Sequence, residues 1–549
     1  MPQFERRRMA PVYSRGGMVA AAHPLIAGSG LGVLARGGNA VDAAVTAALV
    51  AGVVMPEMCG IGGDVFAIVH APGNANVGSE TVSIHGSGIA PRAASLEFMR
   101  ERGERGGTRM PNRGPLSIAV PGMVDAIVTM RERYGSRPFA DLVTPAITLA
   151  RDGFPLGPLG AAAIDDTIDL IQQYPDSARV LLAQGRAPVA GEILRQPDLA
   201  RTLGELADGG VDAYYRGTIG RRVADAIGAL GGKLSADDLA DHRSEVTDPI
   251  AIPYRDYSIL ATGLPSHGVI LLEALNIWQH ANGSDPDVCS ADAIHRQVEA
   301  TKIATIDRLG HTSDPALRQS PMRALLSQAH AARRASEIDL GRAATESATV
   351  PLQEGDTTYI SVVDGDGMMV SLITSLSSAF GSGVVAGDTG IFMNNRAGRG
   401  FTLEDGHPNI YAPGKKTMHT LHSYLVAAAD GTPLLIGGTP GGDGQPQWNL
   451  QTIAGLINAG LDVQAATELP RWMSWPATDP ISLPNPYELR IEDRAGDDVI
   501  TELERRGHAV RRLGAWEAGG AVQVIARDPE TGALTAGSDP RVEGLAVGL

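Results

Sequence analysis

The sequence predicts an α/β (α+β) protein, strands packed with helices, on three observations. Residues 18–70 read as a strand, two helices and a second strand. Residues 119–345 carry mostly helical periodicity, and from residue 359 the period changes to that of strands.

The first strand is the short apolar run Met18–Ala21. Leu31 to Asn39 reads as a helix end closed by Gly37-Gly38. The apolar run Ala40 to Met55 contains Asp42 and is too short to span a bilayer, so it predicts a buried helix. Gly60-Ile61-Gly62-Gly63-Asp64 leads into a strand at Val65–Val69. It has neither the Lys-Ser/Thr of a phosphate loop nor a following helix, so phosphate binding is rejected. Residues 100–115, with Arg100, Arg102, Arg105, Arg109 and Arg113 among glycines, read as a solvated surface loop. Ile294–Ala304 shows helical spacing of apolar residues. Residues 335–356 are polar, end in Gln353-Glu354-Gly355-Asp356, and read as an exposed, flexible segment. A hairpin follows: Tyr359–Asp364, a Gly-Asp-Gly turn at 365–367, then Met368–Thr374. Further strands are expected at Ser423–Ala428 and Leu434–Ile436, joined by Asp430-Gly431, and a helix from Gln447 to Ala459. There is no internal repeat and no low-complexity segment.

The chain has 549 residues, 43% hydrophobic and 20% charged, a globular balance. A formal net charge of −16 argues against nucleic acid or an anionic membrane as the main partner, since phosphate binding needs clustered Lys and Arg. The two cysteines, Cys59 and Cys289, have no metal-ligand spacing and imply no disulfide framework; Cys59 is expected to pack as a small apolar group. No apolar run directly follows the charged start Met1–Arg8, so no secretory signal is read and a cytoplasmic location is expected.

Chemistry concentrates at Gly355-Asp356-Thr357-Thr358-Tyr359, where the flexible segment meets the strand. A Thr hydroxyl is a poor nucleophile without an adjacent base. A chain cut before Thr357 would supply that base as the freed α-amine, which titrates near ~8 when unperturbed. Alone, the Thr-Thr pair reads simply as β-branched residues opening a strand. His419-Thr420-Leu421-His422 has a spacing suited to metal ligation on a helix, but it leads into a strand and has no obvious third ligand, so no metal or other cofactor is expected. Ser266, His267 and Asp307 form no triad on this reading, because adjacent Ser and His side chains point apart.

The surroundings change the reading of Thr357. Thr357-Thr358-Tyr359-Ile360-Ser361-Val362-Val363-Asp364 resembles the signature that opens the small subunit of the γ-glutamyltranspeptidases. The resemblance continues through Phe380–Gly387, Gly390-Ile391, Asn394-Asn395, Pro413-Gly414-Lys415-Lys416 and Thr439-Pro440-Gly441-Gly442. Earlier in the chain it covers Gly37–Ala44, Gly60–Asp64, Val120-Pro121-Gly122 and Tyr215-Arg216-Gly217. It implies a four-layer αββα sandwich of the N-terminal-nucleophile hydrolases. It also implies a precursor that cuts itself between Asp356 and Thr357, giving a large subunit of residues 1–356 and a small one of 357–549 that form one intertwined unit. Thr357 would then attack an amide carbonyl and form an acyl-enzyme. Gly441 and Gly442 match the oxyanion-hole pair, Ser375 stands where the family has a second Thr hydrogen-bonded to the nucleophile, and Ser377 replaces a substrate-contacting Asn or Thr.

The departures bear on substrate. The family clamps the donor α-carboxylate with Arg in an Arg-Glu-x-Ala-Pro motif; this chain has Ser87-Gly88-Ile89-Ala90-Pro91. The acid that holds the α-ammonium shortly after Asn-Asn is missing from Asn394-Asn395-Arg396-Ala397-Gly398-Arg399, and the family's Ser-Ser pair is His419-Thr420. A bidentate Arg clamp is not replaced by a small polar group. The expected substrate is therefore a small amide whose acyl group carries a carboxylate and no ammonium, as in the family's oxamate amidohydrolases and glutaryl-cephalosporin acylases. Arg396, Arg399, Arg92, His419 and Thr420 are candidates to contact it, with Arg396 alternatively bracing the fold. A γ-glutamyl transferase or glutathione hydrolase with relocated recognition residues stays open, as does a biosynthetic homologue cleaving another acyl bond. Self-association of the two processed chains is expected; a homodimer or higher assembly is left open.

Overall fold

The computed structural model describes residues 8–73, 78–281, 286–344, 357–475 and 487–549. Two seven-stranded antiparallel sheets form its centre. In the first, the order is Leu545–Gly548, Gly17–Ala21, Thr358–Asp364, Met369–Ser375, Asp64–Ala71, Glu80–Gly86 and Glu245–Thr247. The second runs Val12–Ser14, Leu534–Ser538, Gln523–Arg527, Pro433–Gly438, Tyr424–Ala428, Tyr257–Ala261 and Ile250–Tyr254.

Side-chain alternation along the strands sorts these sheets into layers. Met18, Ala20, Ile68, Val363 and Met369 of the first sheet pack with Leu425, Ile436, Ile525 and Ala536 of the second. Their neighbours Val19, Ala21, Ala67, Val69 and Val362 face the other way, onto a helical layer that includes Pro24–Ala35 and Ala40–Val54. The outer face of the second sheet is covered by Gly268–His280, Ala291–His311 and Gln445–Ile457. The result is αββα, the expected four-layer sandwich. Strands buried on both faces lose the polar alternation of a half-solvated strand, which is why Val65–Val69 reads as a continuous apolar run.

Local chemistry sets the elements that carry the site. Asn39 caps Ala40–Val54 in a capping box with Asp42, and the helix is buried almost all round. Asp364 makes the hairpin turn: its Oδ1 accepts from the backbone of Asp366 at 3.1 Å and Met368 at 3.0 Å, while Gly367 takes φ +92°. Its Oδ2 accepts from the N–H of Ala40 at 2.9 Å, tying the hairpin to that helix.

Most predicted elements lie within two residues of those observed. Ile294–Ala304 extends to Ala291–His311, and the last predicted helix is Gln445–Ile457. The reading of 119–345 as mostly helical missed the paired two-residue strands Phe154–Pro155 and Ile193–Leu194 and, in the central sheets, Glu245–Thr247, Ile250–Tyr254 and Tyr257–Ala261. They are short, lie towards the sheet edges and include Pro253, which a ladder tolerates only where its missing N–H is not needed. The loop at 100–115 is less solvated than predicted: Arg109 is buried and Arg113 donates to the carbonyls of Ala379 and Gly381. Of the polar segment 335–356, residues 345–356, including Asp356, lie outside the described residues. Among the described residues no helix is long and apolar enough to cross a membrane.

Candidate active site

Strand register brings the expected nucleophile to its partner. Thr358 pairs with Thr374 across the antiparallel hairpin, and the same register carried one residue further sets Thr357 opposite Ser375. A spacing of eighteen residues thus becomes a cross-strand contact. Thr357 Oγ donates to Ser375 Oγ at 3.2 Å, and the N–H of Ser377 donates to the same oxygen at 2.7 Å. Ser377 holds φ +91°, a strained value for a non-glycine residue, and its own hydroxyl has no hydrogen-bond partner among the described residues. All three side chains are buried.

Gly441 and Gly442 stand between strand Pro433–Gly438 and helix Gln445–Ile457, with φ of +119° and +52°. A Cβ on Gly441 would lie 2.1 Å from the Trp448 ring, so conformation and space both require glycine there. Thr357 and Gly441 line the same cavity. Backbone N–H groups at a turn into a helix suit a developing oxyanion.

The basic candidates separate. Arg92 is half-exposed and pairs with Asp238 at 3.3 Å and Asp241 at 3.0 Å, on the surface. Arg396 is buried against Asp64, with Nε 2.9 Å from Oδ2. Asp64 in turn sits opposite Ser375 in the sheet, so this ion pair braces the strand that carries Ser375. Burial outweighs the partner for both groups: Asp64 is pushed up to about 6, and Arg396 is lowered. Arg399, also buried, donates through Nη1 to Thr420 Oγ at 3.1 Å and to the Ser377 carbonyl at 3.5 Å. It therefore reaches the turn that positions Ser375. His419 is hydrogen-bonded through Nε2 to Ser87 Oγ, and burial, then the charge of Arg396, keep its pKa well below the usual histidine value.

Arg396→Leu would strand the Asp64 carboxylate. The expected cost is about 3–5 kcal/mol at neutral pH. Because the folded pKa of Asp64 is raised, the stability it contributes is present in acid and lost as pH rises through about 6. The loss on Arg396→Leu should therefore be smaller at pH 5 than at pH 7.5, as thermal melts at the two values would read.

Several site residues carried no signal in the sequence. Arg308, on helix Ala291–His311, is buried, and its Nε and Nη2 have no hydrogen-bond partner among the described residues. Its neighbours in charge are Asp443 and Arg399, and burial lowers it to about 10. His267 Nδ1 lies 3.8 Å from Asp443, next to Gly442. Asp307 is elsewhere, held by His330 and Arg334, while Ser266 bonds Thr262, so no Ser–His–Asp triad forms. His422 bonds Asn449 and does not converge with His419. Two further clusters, His295–Glu299–His508 and Glu273–Asp307–His330, have metal-binding side chains. Other groups of the fold already hold them, with a 2.8 Å contact between the rings of His295 and His508, Lys302 on Glu299 and Arg334 on Asp307, while Glu273 Oε2 has no partner among the described residues. Cys59 is buried and its thiol is raised by that burial.

Comparison with known proteins places this geometry. The γ-glutamyltranspeptidase family model matches residues 27–549. A glutathione hydrolase-like YwrD proenzyme of Bacillus subtilis is 35% identical over 535 residues, covering 97% of this chain and 98% of the relative. The oxamate amidohydrolase proenzyme of Klebsiella pneumoniae is 35% identical over 545 residues, covering 97% and 99%. The crystal structure of a cephalosporin acylase from Bacillus halodurans superposes with a TM-score of 0.91 at 34% identity, over 100% of this chain and 99% of that one. A match of this length, together with the Thr-led hairpin and the glycine pair, makes the chain a member of the γ-glutamyltranspeptidase family, and so an amide-cleaving hydrolase.

Proposed function

We propose that Thr357 cuts the chain before itself and then hydrolyses small amides whose acyl group carries a carboxylate, which Arg399 receives. The freed α-amine of Thr357 takes the proton of its own Oγ as that oxygen attacks the carbonyl. Ser375, its oxygen held by the Ser377 N–H, lies 3.2 Å from the Thr357 oxygen, and as the Thr357 proton turns to the α-amine the Ser375 hydroxyl turns to donate to the attacking oxygen. The N–H groups at Gly441 and Gly442 meet the oxyanion. The protonated amine then passes its proton to the leaving nitrogen, and water resolves the acyl-enzyme by the same steps.

The observation that carries the substrate reading is Arg399, buried against Ser377 and Thr420, in the stretch after Asn394-Asn395 that lacks the family's ammonium-binding acid. Arg308 adds a second buried guanidinium whose charge acts on Arg399. Asp443 offsets part of the Arg308 charge, and the guanidinium of Arg399 that remains favours an anionic acyl group and disfavours an ammonium. The relatives named for oxamate and cephalosporins are consistent with acyl groups outside the γ-glutamyl class. The test compares two anilides that differ only by an α-ammonium, glutaryl and γ-glutamyl. Glutaryl-anilide should be preferred in kcat/KM by about 100-fold, the scale of one desolvated charge mismatch. Preference for the γ-glutamyl compound would overturn the reading.

A further inference from the structure

We propose that the cavity beside Thr357 and Gly441 is the subsite for the amine half of the substrate, and that this amine is apolar and carries no carboxylate. The proposal rests on the reading of Thr357 as nucleophile and of Arg399 and Thr420 as the acyl side.

A carbonyl attacked by Thr357 Oγ has three directions to distribute. Its oxygen turns to the N–H groups at Gly441 and Gly442. Its acyl chain runs to Arg399 and Thr420. The nitrogen must leave by the remaining side. The cavity bounded by Thr357, Pro440 and Gly441 touches none of Ser375, Ser377, Arg399 or Thr420, so it lies on that side. Its volume is about 110 Å³, room for a small amine and not for a large one.

The walls decide the chemistry. Val54, Met55, Met58, Leu159 and Val542 supply the large apolar side chains of the lining, and two methionines adapt to ligands of varied shape. Leu159 is 43% exposed and so is reachable by a ligand that enters from solvent. The ionisable groups on the lining are His23, Glu57 and Glu543, with no Lys or Arg among them. His23 Nδ1 already accepts from the Leu25 N–H at 3.2 Å, and its Nε2 faces Glu543 at 3.8 Å. Glu543 Oε1 accepts from the Leu159 N–H at 3.1 Å. The fixed charges are thus acidic, opposite to those on the acyl side. An amino-acid amine would bring its carboxylate against Glu543 and Glu57 in a poorly solvated slot, whereas an alkyl or aryl amine would gain by burial.

Half-amides of glutaric acid with ammonia, butylamine, hexylamine and glycine test this with the acyl group constant. We expect kcat/KM to rise up to about fourfold per buried methylene, and the glycine amide to fall at least about tenfold below the butylamide. Leu159→Lys, at an exposed position that does not threaten folding, should flatten the alkyl gain and raise the glycine amide. Calorimetric titration of 1-hexanol, a neutral probe, into the processed enzyme gives a second reading that needs no turnover, and Leu159→Lys should weaken that binding about tenfold. Indifference to alkyl length, or hexanol binding unmoved by Leu159→Lys, would overturn the amine subsite. Loss of the preference for glutaryl over γ-glutamyl anilide would instead overturn the acyl-side reading and leave the calorimetric result standing.

Discussion

Thr357→Ala should run as one uncut band of about 57 kDa on a denaturing gel, where the parent chain gives two bands, the smaller beginning at Thr357. One hydroxyl serves both reactions. In the precursor it attacks the carbonyl before it, moving the acyl group from nitrogen to oxygen before hydrolysis. In the product the same oxygen attacks substrate, now with its own α-amine as base. Removing it removes the covalent route, and losses of about 10⁴-fold or more are the scale for deleting a nucleophile whose neighbours act only through it. Thr357→Ser keeps the oxygen but loses the methyl that restricts χ1, so slow cutting is expected rather than none. A Thr357→Ala protein that still cut itself, or turned over amides at the parent rate, would sink the assignment of Thr357. Fold integrity is checked by its melting temperature, since among the described residues the Thr357 side chain makes the single 3.2 Å hydrogen bond to Ser375 that a substitution would delete.

The parts of this molecule legible in its sequence are those set locally. The hairpin at Thr358–Ser375 is visible because strand periodicity and a Gly-Asp-Gly turn fall in one short window, and its register alone brings Thr357 to Ser375. The helix Ala40–Val54 is visible because an apolar run follows an Asn cap. The αββα layering came from the family resemblance, because which sheet a strand joins depends on distant pairings such as Gly17–Ala21 with Thr358–Asp364. Long-range pairs stayed hidden for the same reason. Nothing local marks Arg396 for Asp64, 332 positions away, or sets Arg308 beside Asp443. Candidates chosen by charge alone divided accordingly: Arg92 pairs on the surface, Arg396 pairs in the interior, and Arg399 alone of the three reaches Ser377 and Thr420.

That division makes Arg399 the residue on which selectivity should turn. Arg399→Gln keeps a donor towards Thr420 but removes the charge. An Arg–carboxylate pair out of water is strong because two donors meet two acceptors in one plane, and a neutral amide offers no such match. With the acyl carboxylate left unpaired beside a buried site, kcat/KM for glutaryl-anilide should fall about 100-fold, a loss of about 3 kcal/mol. The loss should appear mainly in KM, because the carboxylate is bound equally in ground and transition states and lies remote from the bond that breaks. Butyryl-anilide, which has no carboxylate, separates charge recognition from damage to the nucleophile: its kcat/KM should change far less. Arg399→Asp sharpens the contrast. It restores an acid to the stretch where the family has one, so γ-glutamyl-anilide should improve relative to glutaryl-anilide. The change should be incomplete, because Ser87 still stands in place of the α-carboxylate clamp and Arg308 still biases the region towards anions. Equal losses for glutaryl- and butyryl-anilide on Arg399→Gln would show that Arg399 only supports the Ser377 turn, and the substrate reading would then fail.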